Sequence, residues 1–233
     1  MACRCGKTSK VVASLILAAW AVGVGAAQSL AAEMPRVLII GDSISGGYTP
    51  FVRELLTNRV QVVHAPGNNA ATVTGLKRLD TWLGDKKWDV IHFNFGLHDM
   101  KYIDPATSEA GMAKLIPVNT GKQWVPVAAY EANLKTLVQR LKKTGAKLVW
   151  CSTTPVPEGA QGRVPGDETV YNAAALRVMQ AEGVPVNDLC AFVGSPEHRV
   201  ALGGKLKDVH YTSAGSQALA GEVVKAIEKA LAR

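Results

Sequence analysis

Two periods of apolar positions alternate along most of the chain. Val37-Leu38-Ile39-Ile40 is an unbroken apolar run, mostly β-branched, which predicts a strand buried on both faces. A Gly41-Asp42-Ser43 turn and a Gly46-Gly47 pair follow, then helical spacing over Tyr48–Leu56. Gln61–Pro66 predicts a second strand, and Thr72–Leu83 a helix with Val73, Leu76, Leu79 and Leu83 on one stripe. Trp88–Phe95 predicts a third strand that runs into Gly96-Leu97-His98-Asp99. Val127–Lys143 predicts an amphipathic helix with Leu134, Leu137, Val138 and Leu141 on one face, stopped by Gly145. Lys147–Cys151 is the fourth strand, Glu168–Glu182 a helix ended by Gly183, and Val184–Leu189 a fifth strand, placed at the sheet edge by Pro185. A final helix spans Thr212–Leu231, with Leu219, Val223, Ala226 and Ile227 inward. Residues 101–127 lack a period and read as a flap beside the sheet edge; 194–207 read as loop.

Strands alternating with helices, about five of each, predict an α/β fold: three layers, α/β/α, around a flavodoxin-like parallel sheet of order 2-1-3-4-5. In that order the crevice lies between strands one and three, so the loops after Ile40 and after Phe95 converge there.

Composition adds a leader and removes some partners. The chain has 233 residues, 48% of them hydrophobic, enough for one core. Arg4, Lys7 and Lys10 precede an apolar run from Val11 to Ala27, and small residues follow, with Gly25-Ala26-Ala27 and Ser29-Leu30-Ala31 as cleavage points. This predicts a secretory signal peptide over residues 1–31 and a mature domain over 32–233. The expected location is periplasmic or secreted, with no stable membrane anchor after cleavage. The net charge is +7, of which the leader holds three positive charges. No dense basic run with interleaved aromatics remains, which argues against a nucleic-acid partner. Cys151 and Cys190 each adjoin an apolar run and are expected as buried free thiols, although an exported location permits a disulfide. Nothing in the sequence calls for a metal or an organic cofactor.

Two stretches carry candidate chemistry. Ser43 sits at a strand-to-helix turn, where a hydroxyl is presented beside the N–H groups of a helix start; the same turn also suits a serine that merely caps the helix. Near the other end, Lys207-Asp208-Val209-His210 precedes the last helix. Residues i and i+2 share one face of an extended segment, so Asp208 is placed to orient His210 as a general base.

Together with Gly96-Leu97-His98-Asp99 at the end of strand three, these stretches resemble the SGNH/GDSL hydrolase superfamily of esterases and lipases, over nearly all of the mature chain. The resemblance implies Ser43 as nucleophile and His210 as base. It implies an oxyanion hole from the Ser43 N–H, from Ala70 or Gly67 after strand two, and from the position after strand three. That last position is asparagine in the family's Gly-x-Asn-Asp block and His98 here, and a neutral imidazole still donates one hydrogen bond. The family's acid usually lies three residues before the base. That position is Lys207 here, so Asp208 takes the role, with Asp188 a distant second candidate. Asp42, Asn68, Asn69, Asn94, Gly96 and Asp99 are implied around the substrate. The resemblance implies ester hydrolysis without cofactor; candidate loops with few large apolar residues favour a short acyl group, and export with polar loops favours acetyl esters of carbohydrates or polysaccharides. A lysophospholipase or thioesterase on the same fold, and a catalytically silent carbohydrate-binding protein, stay open as alternatives. Trp124 and Tyr102 on the flap suit either sugar stacking or the core.

Overall fold

The computed structural model describes residues 1–3, 6, 33–110 and 114–233. The chain divides into residues 1–33 and 34–233. Of the first unit, the described residues form no regular element. The stretch from Arg4 through the apolar run, read above as the leader, lies outside the described residues apart from Gly6.

Among the described residues, the second unit holds seven strands: β1 (Arg36–Ile40), β2 (Gln61–His64), β3 (Val90–Phe93), β4 (Tyr102–Ile103), β5 (Lys122–Gln123), β6 (Lys147–Cys151) and β7 (Val186–Asn187). Five form one sheet in the order β2-β1-β3-β6-β7, every pair parallel. Setting aside the antiparallel β4–β5 ribbon of the flap, this is the expected order 2-1-3-4-5. The helices are α1 (Ser43–Leu55), α2 (Thr72–Leu83), α3 (Val127–Lys142), α4 (Asp167–Glu182), α5 (Leu189–Val193), α6 (Pro196–Ala201) and α7 (Ser213–Leu231).

The two-residue period of the strands sorts the core into two halves. Leu38, Ile40, Ile91, Phe93, Leu148 and Trp150 point to one face and pack with Leu79, Leu134, Leu137 and Tyr171 of α2, α3 and α4. Val37, Ile39, Val90, Val149 and Cys151 point to the other and pack with Tyr48, Val52, Leu219, Val223 and Ile227 of α1 and α7. The three layers follow from this alternation.

Four differences from the sequence reading have physical causes. First, α1 begins at Ser43, because the Asp42 side chain accepts from the Ile44 N–H and caps the helix; Gly46 and Gly47 lie inside it. Second, α2 is rolled relative to its leucine stripe. Gly75, Leu79 and Trp82 are buried, while Val73, Leu76 and Leu83 are half-buried. A Cβ at Gly75 would stand 2.9 Å from Phe95 Cζ, so the missing side chain lets α2 approach the sheet. Third, the fifth strand shortens to Val186–Asn187 because Asp188 caps α5. Fourth, 194–207 contains α6, started by the Ser195 cap and Pro196 but too short to show an apolar period. Among the described residues, no helix is long and apolar enough to cross a membrane. Cys151 and Cys190 are both free, the first buried and the second half-buried.

Candidate active site

The carboxyl edge of β1 delivers Ser43 as the first residue of α1, where helix geometry leaves its N–H without an intrahelical partner. The loop before α7 delivers His210 from far along the chain, and Ser43 Oγ lies 2.9 Å from His210 Nε2. The other ring nitrogen, Nδ1, is 2.6 Å from Asp208 Oδ1, and the same oxygen accepts the His210 main-chain N–H at 3.1 Å. The two-residue spacing works because the Asp208 side chain accepts the N–H two residues on, an Asx turn that holds the carboxylate against its own histidine; Lys207, just before it, has a left-handed backbone (φ 55°). Partial burial pushes the Asp208 carboxyl up, but the bonds from His210 and the charges of His210 and Lys205 outweigh it and hold the group below its ordinary range. Asp188 is engaged elsewhere: it accepts from Ser152 Oγ at 2.7 Å and from the Ala191 N–H at 3.0 Å.

These groups open onto a cleft of about 390 Å³, whose lining includes Ser43, Asn68, His98, Leu115, Arg163 and His210. His98 is buried, and burial first, then the charges of Lys101, Arg163 and His210, push its pKa down to about 3. The imidazole is therefore neutral at any working pH. Leu115 is the flap's contribution. Trp124 instead lies half-buried against the core, with the Lys101 ammonium 4.4 Å from its ring centre.

Most of the polar residues implied around the substrate turn inward. Asp42 is buried as the α1 cap. Asn69 Oδ1 accepts from the Gly41 N–H at 2.8 Å, tying the loop after β2 to the nucleophile turn. Asn94 Nδ2 donates to Cys151 O at 2.7 Å. Gly96 is buried (φ 145°), and any Cβ there would collide with Thr153 Oγ1. Asp99 Oδ1 accepts from Thr72 N at 2.8 Å and Thr72 Oγ1 at 2.5 Å, anchoring the start of α2. These five shape the cleft without lining it; Asn68 lines it. The Ala70 N–H is already held by Asn68 Oδ1 at 3.0 Å, and Gly67 is exposed outside the lining.

Sequence reasoning missed two arginines. Arg199 of α6 is fully buried and donates to Lys205 O and Asp208 O at 2.8 Å and to His210 O at 3.3 Å, bracing the loop that carries Asp208 and His210. Arg163 reaches the cleft from the loop between β6 and α4 and donates from Nε to Leu97 O at 3.0 Å. Neither lies in a motif; the short Ser195-Pro196 helix start was the only local signal for the first.

Among the described residues, no cluster of three or more His, Cys, Asp or Glu is arranged to hold a metal ion. A comparison with curated proteins found no match. Solved structures share the fold at low identity. A lipase/acylhydrolase from Enterococcus faecalis superposes with a TM-score of 0.66 at 21% identity, covering 84% of this chain and 96% of that one. An acetyl xylan esterase, AlAXEase, gives 0.63 at 17% identity over 82% and 99% of the two chains. The psychrotrophic esterase EstA from Pseudoalteromonas sp., in a structure inhibited by monoethylphosphonate, gives 0.62 at 14% identity over 85% and 99%. The family model of the GDSL-like lipase/acylhydrolases matches residues 39–218, from the end of β1 into α7. With its parallel sheet in the order seen here and a match across most of the chain, this protein belongs to the GDSL-like lipase/acylhydrolase family and is an ester hydrolase.

Proposed function

We propose that the protein hydrolyses short acyl esters, acetyl esters of carbohydrates foremost, through an acyl-enzyme on Ser43. The observation that carries this reading is the hydrogen-bonded chain Ser43 Oγ–His210 Nε2 and His210 Nδ1–Asp208 Oδ1. His210 accepts the Ser43 proton as the oxygen attacks the ester carbonyl, and Asp208 holds the tautomer that leaves Nε2 free to do so. The developing oxyanion lies against the Ser43 N–H and the His98 ring. His98 Nδ1 is buried without a hydrogen-bond partner. An orphaned acceptor is the less costly of the two orphans, so the proton sits on Nε2, which faces the cleft as a donor. Asn68, whose Oδ1 is taken by Ala70, adds its Nδ2. Collapse of the tetrahedral intermediate passes the proton from His210 to the departing alcohol. Water, activated by the same imidazole, then releases the acid.

The modest cleft and the predominantly polar side chains around it favour a small acyl group, and the acetyl xylan esterase among the structural neighbours points the same way. Export by the predicted leader would place such an enzyme with extracellular polysaccharide. A fluorophosphonate probe tests the chemistry: it labels the protein at Ser43, and Ser43→Ala loses both the label and about a millionfold in kcat on 4-nitrophenyl acetate, with its fold retained. Turnover unchanged in that variant would leave the reading without its nucleophile.

A further inference from the structure

We propose that the cleft selects esters bearing an anionic oxygen group, carboxylate or phosphate, close to the scissile bond, and that the Arg163 guanidinium reads that group. The proposal deepens the hydrolase reading and rests on it.

Arg163 is built into place. Its Nε donates to Leu97 O at 3.0 Å, which fixes the plane of the guanidinium. The residue before it is held by the flap: Gly162 O accepts from the Tyr102 N–H at 2.7 Å. Gly162 has φ 60°, and a Cβ there would lie 2.6 Å from Leu115 Cγ and 2.9 Å from Ile116 O, so the flap sits directly on this turn. Yet the business end is uncommitted. Among the described residues, the terminal nitrogens of Arg163 meet no hydrogen-bond acceptor and no carboxylate within 4.0 Å. Arg199, the bracing arginine, is the internal contrast: its terminal nitrogens end on three carbonyls.

The nearest countercharges already have work. Asp42 Oδ1 caps α1, and Asp208 Oδ1 holds His210 at both its N–H and Nδ1. Both carboxylates attract Arg163 only at a distance, and burial pulls the guanidinium the other way. Lys207 lines the same cleft, and the charges of Lys101 and Arg163 both bear on His98 within it. A planar two-pronged donor in a half-buried positive cleft matches carboxylate or phosphate geometry, and a neutral ester leaves it without a partner.

The test compares acetate release from three esters with one ring: the 2,3,4-tri-O-acetyl derivatives of methyl glucoside, methyl glucuronide and methyl glucoside 6-phosphate. The wild type is expected to prefer one or both anionic esters over the neutral one through KM, with the preference shrinking as salt rises. Arg163→Met raises KM for the preferred anionic ester about tenfold or more, and changes KM for the neutral ester far less. Arg163→Lys, which keeps the charge without the fork, recovers part of the preference. The glucuronide and phosphate arms show which anion is read. Equal KM values in the wild type, or a preference that survives Arg163→Met, would overturn the proposal while leaving the hydrolase reading intact. If the wild type released no acetate from any ester or from 4-nitrophenyl acetate, the hydrolase reading would fail instead. Calorimetric binding of free methyl glucuronide and methyl glucoside 6-phosphate to Ser43→Ala, with and without Arg163→Met, then decides the anion site alone. Arg163-dependent binding supports it, and equal or absent binding overturns it.

Discussion

One carboxylate oxygen of Asp208 accepts two hydrogen bonds from His210, from the main-chain N–H at 3.1 Å and from ring Nδ1 at 2.6 Å. The same contact therefore sets both the backbone turn and the ring's tautomer. Asp208→Asn separates these roles. An amide oxygen still accepts one bond and keeps the turn, but the negative charge that stabilises the imidazolium is gone. The expected result is a fall in kcat of about three to four orders of magnitude on 4-nitrophenyl acetate, with the thermal midpoint nearly unchanged. Asp188→Asn, at the cap of α5, should leave kcat untouched.

Arg199 positions this pair from behind. It touches no reacting atom, yet its guanidinium satisfies Lys205 O, Asp208 O and His210 O, and lies 4.8 Å from the Tyr211 ring centre. Arg199→Met leaves Lys205 O and Asp208 O without their donor, while His210 O keeps the Lys205 N–H at 2.9 Å, and is expected to destabilise the fold by about 3 kcal/mol. The turnover signature separates positioning from stability: measured well below its melting point, the variant should lose kcat with little change in KM. Arg199→Lys, with one ammonium for three carbonyls, should fall between.

His98 stands where the family carries asparagine, and its neutral ring faces the cleft. If its Nε2–H meets the oxyanion, His98→Ala costs about 3 kcal/mol of transition-state stabilisation, a drop of roughly a hundredfold in kcat. His98→Asn returns an amide donor of the family's type and should recover a large part of the loss. A structural role alone would show the reverse pattern, with both variants lowering the thermal midpoint and neither changing kcat.

The strand order was legible because its cause is local and repeated: apolar runs of four or five residues, separated by helices whose leucines recur at helical spacing. The edge strand was less so, since Val186–Asn187 is only two residues long and its end is set by a side-chain cap on the next element. At the site, Ser43 and His210 were readable because each sits at a turn next to a helix start. The inward turn of Asn69, Asn94 and Asp99 was not, because which face of a loop a side chain takes depends on partners remote in sequence: Gly41, Cys151 and Thr72. Arg163 and Arg199 were invisible for the same reason. An isolated arginine in a polar stretch carries no period, and only the fold shows that one ends on carbonyls and the other in the cleft.

Asp99 gives the fold a pH dependence whose sign runs opposite to the usual carboxylate. The group is fully buried, and burial raises its pKa to about 7, against the lowering effect of its bonds from Thr72 and the local main chain. Its other oxygen, Oδ2, is buried without a partner. The folded state therefore holds a proton that the unfolded chain, with an ordinary carboxyl near 3.8, has released. Where the native state binds more protons than the unfolded one, stability falls as pH rises. This contribution is fully present below about pH 4 and is lost by about pH 7, the window between the two values. Asp99→Asn keeps an oxygen for Thr72 N and Oγ1 and places a neutral amide where the charge would form. The variant is expected to be more stable than wild type at pH 8 by at least about 1 kcal/mol, and to show a flatter stability profile between pH 4 and 7. Urea unfolding at stepped pH measures both. A wild-type profile that rises across that window in parallel with the variant's would mean that Asp99 is charged in the native state, with Lys101 or the Thr72 bonds outweighing its burial.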